Sequence, residues 1–365
     1  MIDFKSDNFS LSEIKYKEIK RPFHFIEKIL DQYFLDFKII KIFQLDRLEI
    51  NSENYKIILF LNGFKKTILL RKNKALKEKE TIDFYLNLLI NLKESGVKVS
   101  RVILSKNKEI SVQNNGDFFS VFEFIEAEYF KPSLKSFLDI ALNIALMHNA
   151  FNNFNSKDVI KINQLSKKNK IYYNTIKKYS LKDFEIIRKI IKEKINQTEI
   201  DKLILFKIPL FIKNIKEIKK NKKKIDSLQK QVIHSDLHPH NILIKGNKLK
   251  AIIDFDGLRI APKGIDVAMA VYRFGRQFFI DKKISLKTNP VLLKNKFIDI
   301  YNQTNPLSAS EIKLLPVLIK DDFLKKLLLV LNGVYLENNN TWAGDLIKFI
   351  SAFEEIDLFW PPYIK

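Results

Sequence analysis

The chain has 365 residues, 46% of them hydrophobic, enough for the cores of two domains at roughly 100 to 200 residues each. Its complete lack of cysteine excludes a disulfide framework, a thiol nucleophile and every thiolate metal site, and five histidines leave little for a histidine cage; any metal is expected on oxygen ligands, which favours magnesium. The formal charge of +22 is spread along the chain, and even the densest run, residues 219–224, is interrupted by Asn221, so it reads as solvated helix faces with attraction of an anionic substrate second and nucleic acid unlikely.

The opening MIDFKSDNFS has no basic start followed by an apolar run, and no later stretch approaches the roughly 18 to 20 apolar residues of a membrane span, so a cytoplasmic chain without a membrane partner is expected. Apolar positions at mixed helical spacing, Phe25, Ile26, Ile29, Leu30 and Phe34, predict an opening helix within 23–43 followed by a short strand. The segments YKIILFL (55–61) and KTILLRK (66–72) are apolar and β-branched, and Asn62-Gly63 between them predicts a tight antiparallel hairpin. From 77 to 95 the pattern turns helical, with Gly96 placed to end it, and strands are expected at 99–104 and 118–125.

Beyond Ala127 the chain reads as mainly helical, over 134–149, 161–178, 183–195 and 201–229. One β island, holding Val232-Ile233, 241–244 and 249–253, interrupts before helices resume over about 264–355. No repeat and no Gly/Ser linker separates the parts, so two lobes are expected to join directly near 122–128, with residues 1–126 as a nucleotide-binding lobe and 127–365 as a helical catalytic and acceptor-binding lobe.

Most of the conspicuous polar residues bound the strands of that island. HSDLHPHN (234–241) leaves one strand, and IIDFDG (252–257) ends the next. Phosphoryl transfer needs a carboxylate to orient the attacking hydroxyl and oxygen ligands to hold magnesium against the phosphates. Asp236 and Asn241 stand at the separation of the aspartate and asparagine in a protein-kinase catalytic loop, and Asp254 follows thirteen positions later. Asp236 is therefore the candidate catalytic residue, with Asn241 and Asp254 as metal ligands. Asp and Asn are also common turn residues, and it is the full set in one hairpin that is restrictive. His234 reads as a loop organiser, and His238 as either loop structure or a substrate contact.

These motifs resemble the aminoglycoside phosphotransferase and choline kinase family, which shares the protein kinase fold and whose loop is usually H-G-D-x-H-x-x-N followed by I-D-F or I-D-W and an acidic residue. Ser235 replaces the glycine, while His238, Asn241 and Asp256 match. The resemblance implies an α+β, two-lobe protein-kinase-like fold: a small antiparallel sheet lobe, and a mainly helical lobe with a short β-hairpin at the active site. It also implies that Asp266 of GIDVA braces the catalytic loop, that His148 of IALMHNA is core structure, and that Asp256 is a further carboxylate behind or beside the metal, with a surface cap as the alternative.

For the nucleotide, no G-x-G-x-x-G is present, and the turn 51–54 resembles the family's shorter substitute, with Ser52 and Asn54 as phosphate donors. Arg71 matches the basic residue that contacts the phosphates, and Glu80 or Asp83 would hold it in place. The adenine is expected along 122–125, where Glu123, Phe124 and Ile125 would read its edge and sandwich its rings.

The implied activity is magnesium-dependent transfer from ATP, or GTP, to a hydroxyl of a small molecule such as a sugar or amino alcohol, with a neutral or anionic acceptor mildly preferred because the chain is so basic. Two other readings remain: a protein Ser/Thr kinase, disfavoured because only about ten residues separate Asp254 from Gly264, and a silent nucleotide- or nucleic-acid-binding protein on this fold, disfavoured because Asp236, Asn241 and Asp254 are all present.

Overall fold

Asn62 and Gly63 take φ of 51° and 79°, so the chain reverses within two residues and Leu61 pairs with Phe64, the geometry an Asn-Gly turn favours. The computed structural model describes residues 16–20, 23–45, 52–74, 76–168, 180–283, 289–340 and 343–361. In chain order its elements are β1 (Tyr16–Ile19), α1 (His24–Leu30), β2 (Phe37–Leu45), β3 (Ser52–Leu61), β4 (Phe64–Asn73), α2 (Lys79–Glu94), β5 (Val102–Ile103), β6 (Val112–Asn114), β7 (Asp117–Glu123) and β8 (Glu128–Tyr129). There follow α3 (Leu134–Asn152), α4 (Ser156–Lys168), α5 (Leu181–Glu193), α6 (Glu199–Asp226), β9 (Gln231–Ile233), β10 (Ile242–Lys245), β11 (Lys248–Ile252), β12 (Arg259–Ala261), α7 (Gly264–Asp281), α8 (Pro290–Thr304), α9 (Ala309–Leu336) and α10 (Leu346–Phe359).

By packing, the described chain groups into a sheet unit, residues 16–143 with 239–256, and a helical unit, 144–238 with 257–361; the lobe boundary expected at 126/127 falls inside the first. In the sheet unit, seven antiparallel strands run β1-β2-β3-β4-β7-β5, with β6 also on β7. Alternation gives each face its own helix. Tyr55, Ile57, Leu59, Ile68, Leu70, Phe119 and Val121 pack with Ile26, Ile29 and Leu30 of α1, whereas Phe118, Phe122 and Val102 pack with Ile82 and Leu86 of α2. Gly96, at φ 80°, ends α2 as expected.

The β island is not one sheet. β10 and β11 form a hairpin that β8 joins within the sheet unit, while β9 pairs with β12 in the helical unit. Three-residue strands such as β12 are too short for a period of two to show in sequence. The helix expected over 161–178 is described as far as residue 168, and the rest lies outside the described residues. The other late helices form near the expected positions, α6 and α9 carrying Pro209 and Pro316 inside them. No helix among the described residues is long and apolar enough to cross a membrane.

Candidate functional site

Ser52 and Asn54 belong to β3 and not to a turn before it; Asn51 lies outside the described residues. The strand begins earlier than the apolar run because Ser52 is paired with Asn73, and Asn54 with Arg71. Directly opposed residues of an antiparallel pair share a face, so Ser52, Asn54 and Arg71 stand together on one side of the sheet. Ser52 is buried and its hydroxyl accepts from the Asn54 amide at 3.2 Å.

Arg71 donates through Nη2 to Asp256 Oδ2 at 2.8 Å, an ion pair with both side chains about four-fifths buried. Of the two carboxylates expected to hold Arg71, Asp83 is engaged elsewhere: Lys79 reaches one oxygen at 2.6 Å and the Ser111 hydroxyl the other at 2.5 Å. Glu80, the other, stands in the first turn of α2, exposed and itself engaged in a contact. A partner 185 residues away from Arg71 leaves no trace in local spacing. Lys72, pointing to the other side, pairs with Asp117 at 2.7 Å.

Asn241 is buried at the end of a single 3-10 turn, and its backbone carbonyl accepts the Ile253 N–H at 3.0 Å, tying the loop before β10 to the residue preceding Asp254. Asp254 takes φ 66°, a left-handed conformation that costs a non-glycine residue of order 1 kcal/mol and is found where the surroundings impose it. Asn241 and Asp254 offer one amide oxygen and one carboxylate. That all-oxygen pair fits magnesium, which takes its remaining ligands from phosphates and water. Among the described residues no three acidic or histidine side chains converge into a cage that would hold a metal alone.

Along the expected adenine strip, Glu123 is exposed, its N–H donates to the Arg101 carbonyl at 2.9 Å, and its carbonyl accepts from the Ser100 hydroxyl at 2.7 Å. Phe124 and Ile125 are half-buried, and the ammonium of Lys56 lies 4.3 Å from the Phe124 ring centroid while pairing with Glu126 at 3.1 Å. Lys56 escaped the sequence reading, although it follows Asn54 by two residues and so shares its face.

In the helical unit, Asp266 in the first turn of α7 is fully buried and receives the backbone N–H of His234 at 2.7 Å and of Ser235 at 2.8 Å. His148 bonds the same carboxylate at 3.1 Å and the Tyr301 hydroxyl at 2.7 Å, which makes it a core residue as expected. Burial pushes the Asp266 carboxyl up, but His148, His234 and these hydrogen bonds outweigh it and hold the group below its ordinary value. Ser235, at the family's glycine position, keeps a glycine-like φ of 71°, and its hydroxyl accepts from Arg259 Nε at 2.8 Å.

Asp236 follows. Its carboxylate pairs with His238 Nε2 at 3.3 Å and lies 3.8 Å from Lys326 Nζ. Burial works against the charge, yet His238, Lys326 and His234 act more strongly and hold the carboxyl well below the usual range. Asp236 is thus ionised throughout the neutral range. His238 is pushed down, first by burial and then by Arg273 and Lys348, against the pull of Asp236. Lys326, Arg273 and Lys348 were not singled out in sequence; the available signal was an arginine in the otherwise apolar stretch AMAVYRFG of α7.

An antiparallel sheet unit carrying the Arg71–Asp256 pair, and a helical unit carrying a braced His-Ser-Asp loop, define a phosphotransferase of the protein-kinase-like class. Residues 49–281 match the model of the Phosphotransferase enzyme family, and the chain belongs to that family. Among solved structures, an aminoglycoside phosphotransferase from Alicyclobacillus acidocaldarius subsp. acidocaldarius is 13% identical with a TM-score of 0.63, covering 94% of this chain and 95% of that one. A spectinomycin phosphotransferase, solved with ADP and spectinomycin, is 14% identical with a TM-score of 0.64 over 93% and 97% of the two chains. A microcompartment-associated aminopropanol kinase is 15% identical with a TM-score of 0.54 over 91% and 94%. At such identities the likeness is one of fold. No curated protein matches the chain significantly.

Proposed function

We propose that the protein transfers the γ-phosphoryl group of ATP to a hydroxyl of a small molecule, working on the cytoplasmic ATP pool with magnesium, with residues 1–126 as the nucleotide-binding lobe and 127–365 as the catalytic and acceptor-binding lobe. The observation that carries this is Asp236: an ionised carboxylate on a loop whose preceding backbone is pinned by the buried Asp266. Such a group orients an acceptor hydroxyl and takes its proton as the oxygen attacks. The acceptor oxygen then bonds to the γ-phosphorus, the bond from that phosphorus to the bridging oxygen breaks, and ADP leaves with the electron pair.

On the nucleotide side, the shared face of Ser52, Asn54 and Arg71 suits phosphate oxygens, and Arg71 is oriented by Asp256. Phe124 and Ile125 are the half-buried groups suited to the base. Asn241 and Asp254 would hold magnesium, which supplies neutralisation of phosphate charge when bound. The two solved relatives described with ADP and as an aminopropanol kinase support a nucleotide donor and a hydroxylated acceptor.

The test is ADP release from ATP, with and without magnesium, across sugars, amino alcohols and hydroxy acids, repeated with GTP. Release that needs both magnesium and an acceptor, is lost in Asp236→Ala, and leaves nucleotide affinity intact in that variant is the expected result. Normal turnover by Asp236→Ala would falsify the assignment.

A further inference from the structure

Three cations, Lys326, Arg273 and Lys348, lie within electrostatic reach of Asp236, more than a generic base has need of. Lys326 of α9 lies between Asp236 and the buried Asp322, at 3.8 Å and 3.2 Å. Lys348 of α10 pairs with Asp345 at 3.3 Å, and Arg276 of α7 with Glu355 at 2.6 Å. Arg273, one turn before Arg276 on α7, differs. It is half-buried, and among the described residues no carboxylate closes an ion pair with it. Asp236, Asp345 and Lys348 are all within its electrostatic reach. The helices that carry these groups pack together, α9 against both α7 and α10.

A half-buried guanidinium without a partner is costly, and a second cation beside it adds repulsion. Lys348 registers both effects: it is pushed down to about 8, by burial first and by Arg273 next. Neither nearby carboxylate closes an ion pair with Arg273, because Asp322 is taken by Arg259 at 2.8 Å and by Lys326, and Asp345 by Lys348. An acceptor bearing an ammonium group would meet the same repulsion. A planar anion on the acceptor would instead receive paired donors from Arg273 and the charge of Lys348.

We infer that the acceptor is an anionic hydroxy compound, a carboxylate or a phosphate ester, whose anion docks on Arg273 and Lys348 of the helical unit while its hydroxyl faces Asp236. This rests on the phosphotransferase reading above and narrows its acceptor. It also gives part of the chain's +22 charge a specific use at one place.

The full-length protein with MgATP is offered matched acceptors: glycerate and gluconate as carboxylates, glycerophosphate and phosphorylated ribose as phosphate esters, glycerol and ribitol as neutral counterparts, ethanolamine and aminopropanol as amines. Both ADP release and equilibrium binding are read. An acid or a phosphate ester should exceed its neutral counterpart by about tenfold or more, and the two anionic arms tell which anion is used. Arg273→Gln should raise that KM or Kd by about tenfold with affinity for an ATP analogue within about twofold of the parent. Arg273→Lys should keep part of the effect, and Lys348→Gln provides a second route if the first variant melts early. Preference for a neutral compound or an amine, binding of none of the anions above its counterpart, or equal anion affinity in the parent and both glutamine variants overturns the inference. Anion preference in binding with no ADP release under any condition would bear out the docking site and sink phosphoryl transfer, so the two claims fail separately.

Discussion

One oxygen of the Asp266 carboxylate accepts the backbone N–H of Ser235 at 2.8 Å while Ser235 itself is held at φ 71°. The other oxygen takes His234 N–H and His148, so a single buried side chain fixes two consecutive residues of the loop that ends in Asp236. Removing it strands those donors away from water. Asp266→Ala should lower unfolding free energy by about 3 kcal/mol, read from urea titrations, and reduce turnover more than ATP affinity. A variant of unchanged stability and rate would show that the loop holds its shape without this brace.

Ser235 supplies a finer test of the same loop. Glycine adopts positive φ without a steric penalty, which favours Ser235→Gly by about 1 kcal/mol, but the hydrogen bond from Arg259 to the hydroxyl, worth about the same, is lost. The two should nearly cancel, leaving stability within about 1 kcal/mol of the parent. Ser235→Val, with a branched β-carbon in a left-handed backbone and no acceptor for Arg259, should fall by about 2 kcal/mol or more, measured in the same titration. Equal stability of the two variants would mean that the positive φ carries no strain.

How much of this was visible beforehand follows from the range of each interaction. The Asn-Gly hairpin depends on neighbours a few residues apart and forms as the sequence suggests, whereas the His-Ser-Asp loop takes its shape from Asp266, more than thirty residues away. Asp266 and His148 were placed in their present roles through family resemblance, and their hydrogen bonds agree. By contrast, the pair of Arg71 with Asp256 links residues 185 positions apart, and the approach of Lys326 to Asp236 joins a helix to a loop. Nothing in either local pattern encodes those meetings. β3 starts earlier than its sequence suggests, because polar Ser52 and Asn54 look like turn residues whereas register with Asn73 and Arg71 makes them strand.

The Arg71 to Asp256 ion pair gives a prediction with an internal control. Arg71→Ala should raise the ATP KM by about tenfold or more through loss of phosphate contact. Asp256→Ala should have a smaller effect, since the guanidinium remains but loses its orientation. If the pair acts as a unit, the double variant should be no worse than Arg71→Ala alone, a coupling readable from the four KM values. Additive effects would instead separate Asp256 from phosphate binding.

Lys348 makes a prediction in pH. Its folded value near 8 lies below its ordinary 10.5, so between those two values the unfolded chain holds a proton that the folded chain has released. Stability rises with pH wherever the unfolded state binds more protons, so Lys348 contributes a rise from about pH 8 to about pH 10.5 and a constant burden below pH 8. Lys348→Met removes both the burden and the slope. At pH 7 it should be more stable than the parent by about 1 to 3 kcal/mol, and the gap should close as pH approaches 10.5. The same deprotonation takes one positive charge from the proposed anion site, so the KM of an anionic acceptor should climb above pH 8 in the parent and stay flatter in Lys348→Met, from a higher starting value. Urea titrations and acceptor KM at pH 7, 8, 9 and 10 read both effects, and a stability gap independent of pH would show that Lys348 is not the group titrating there.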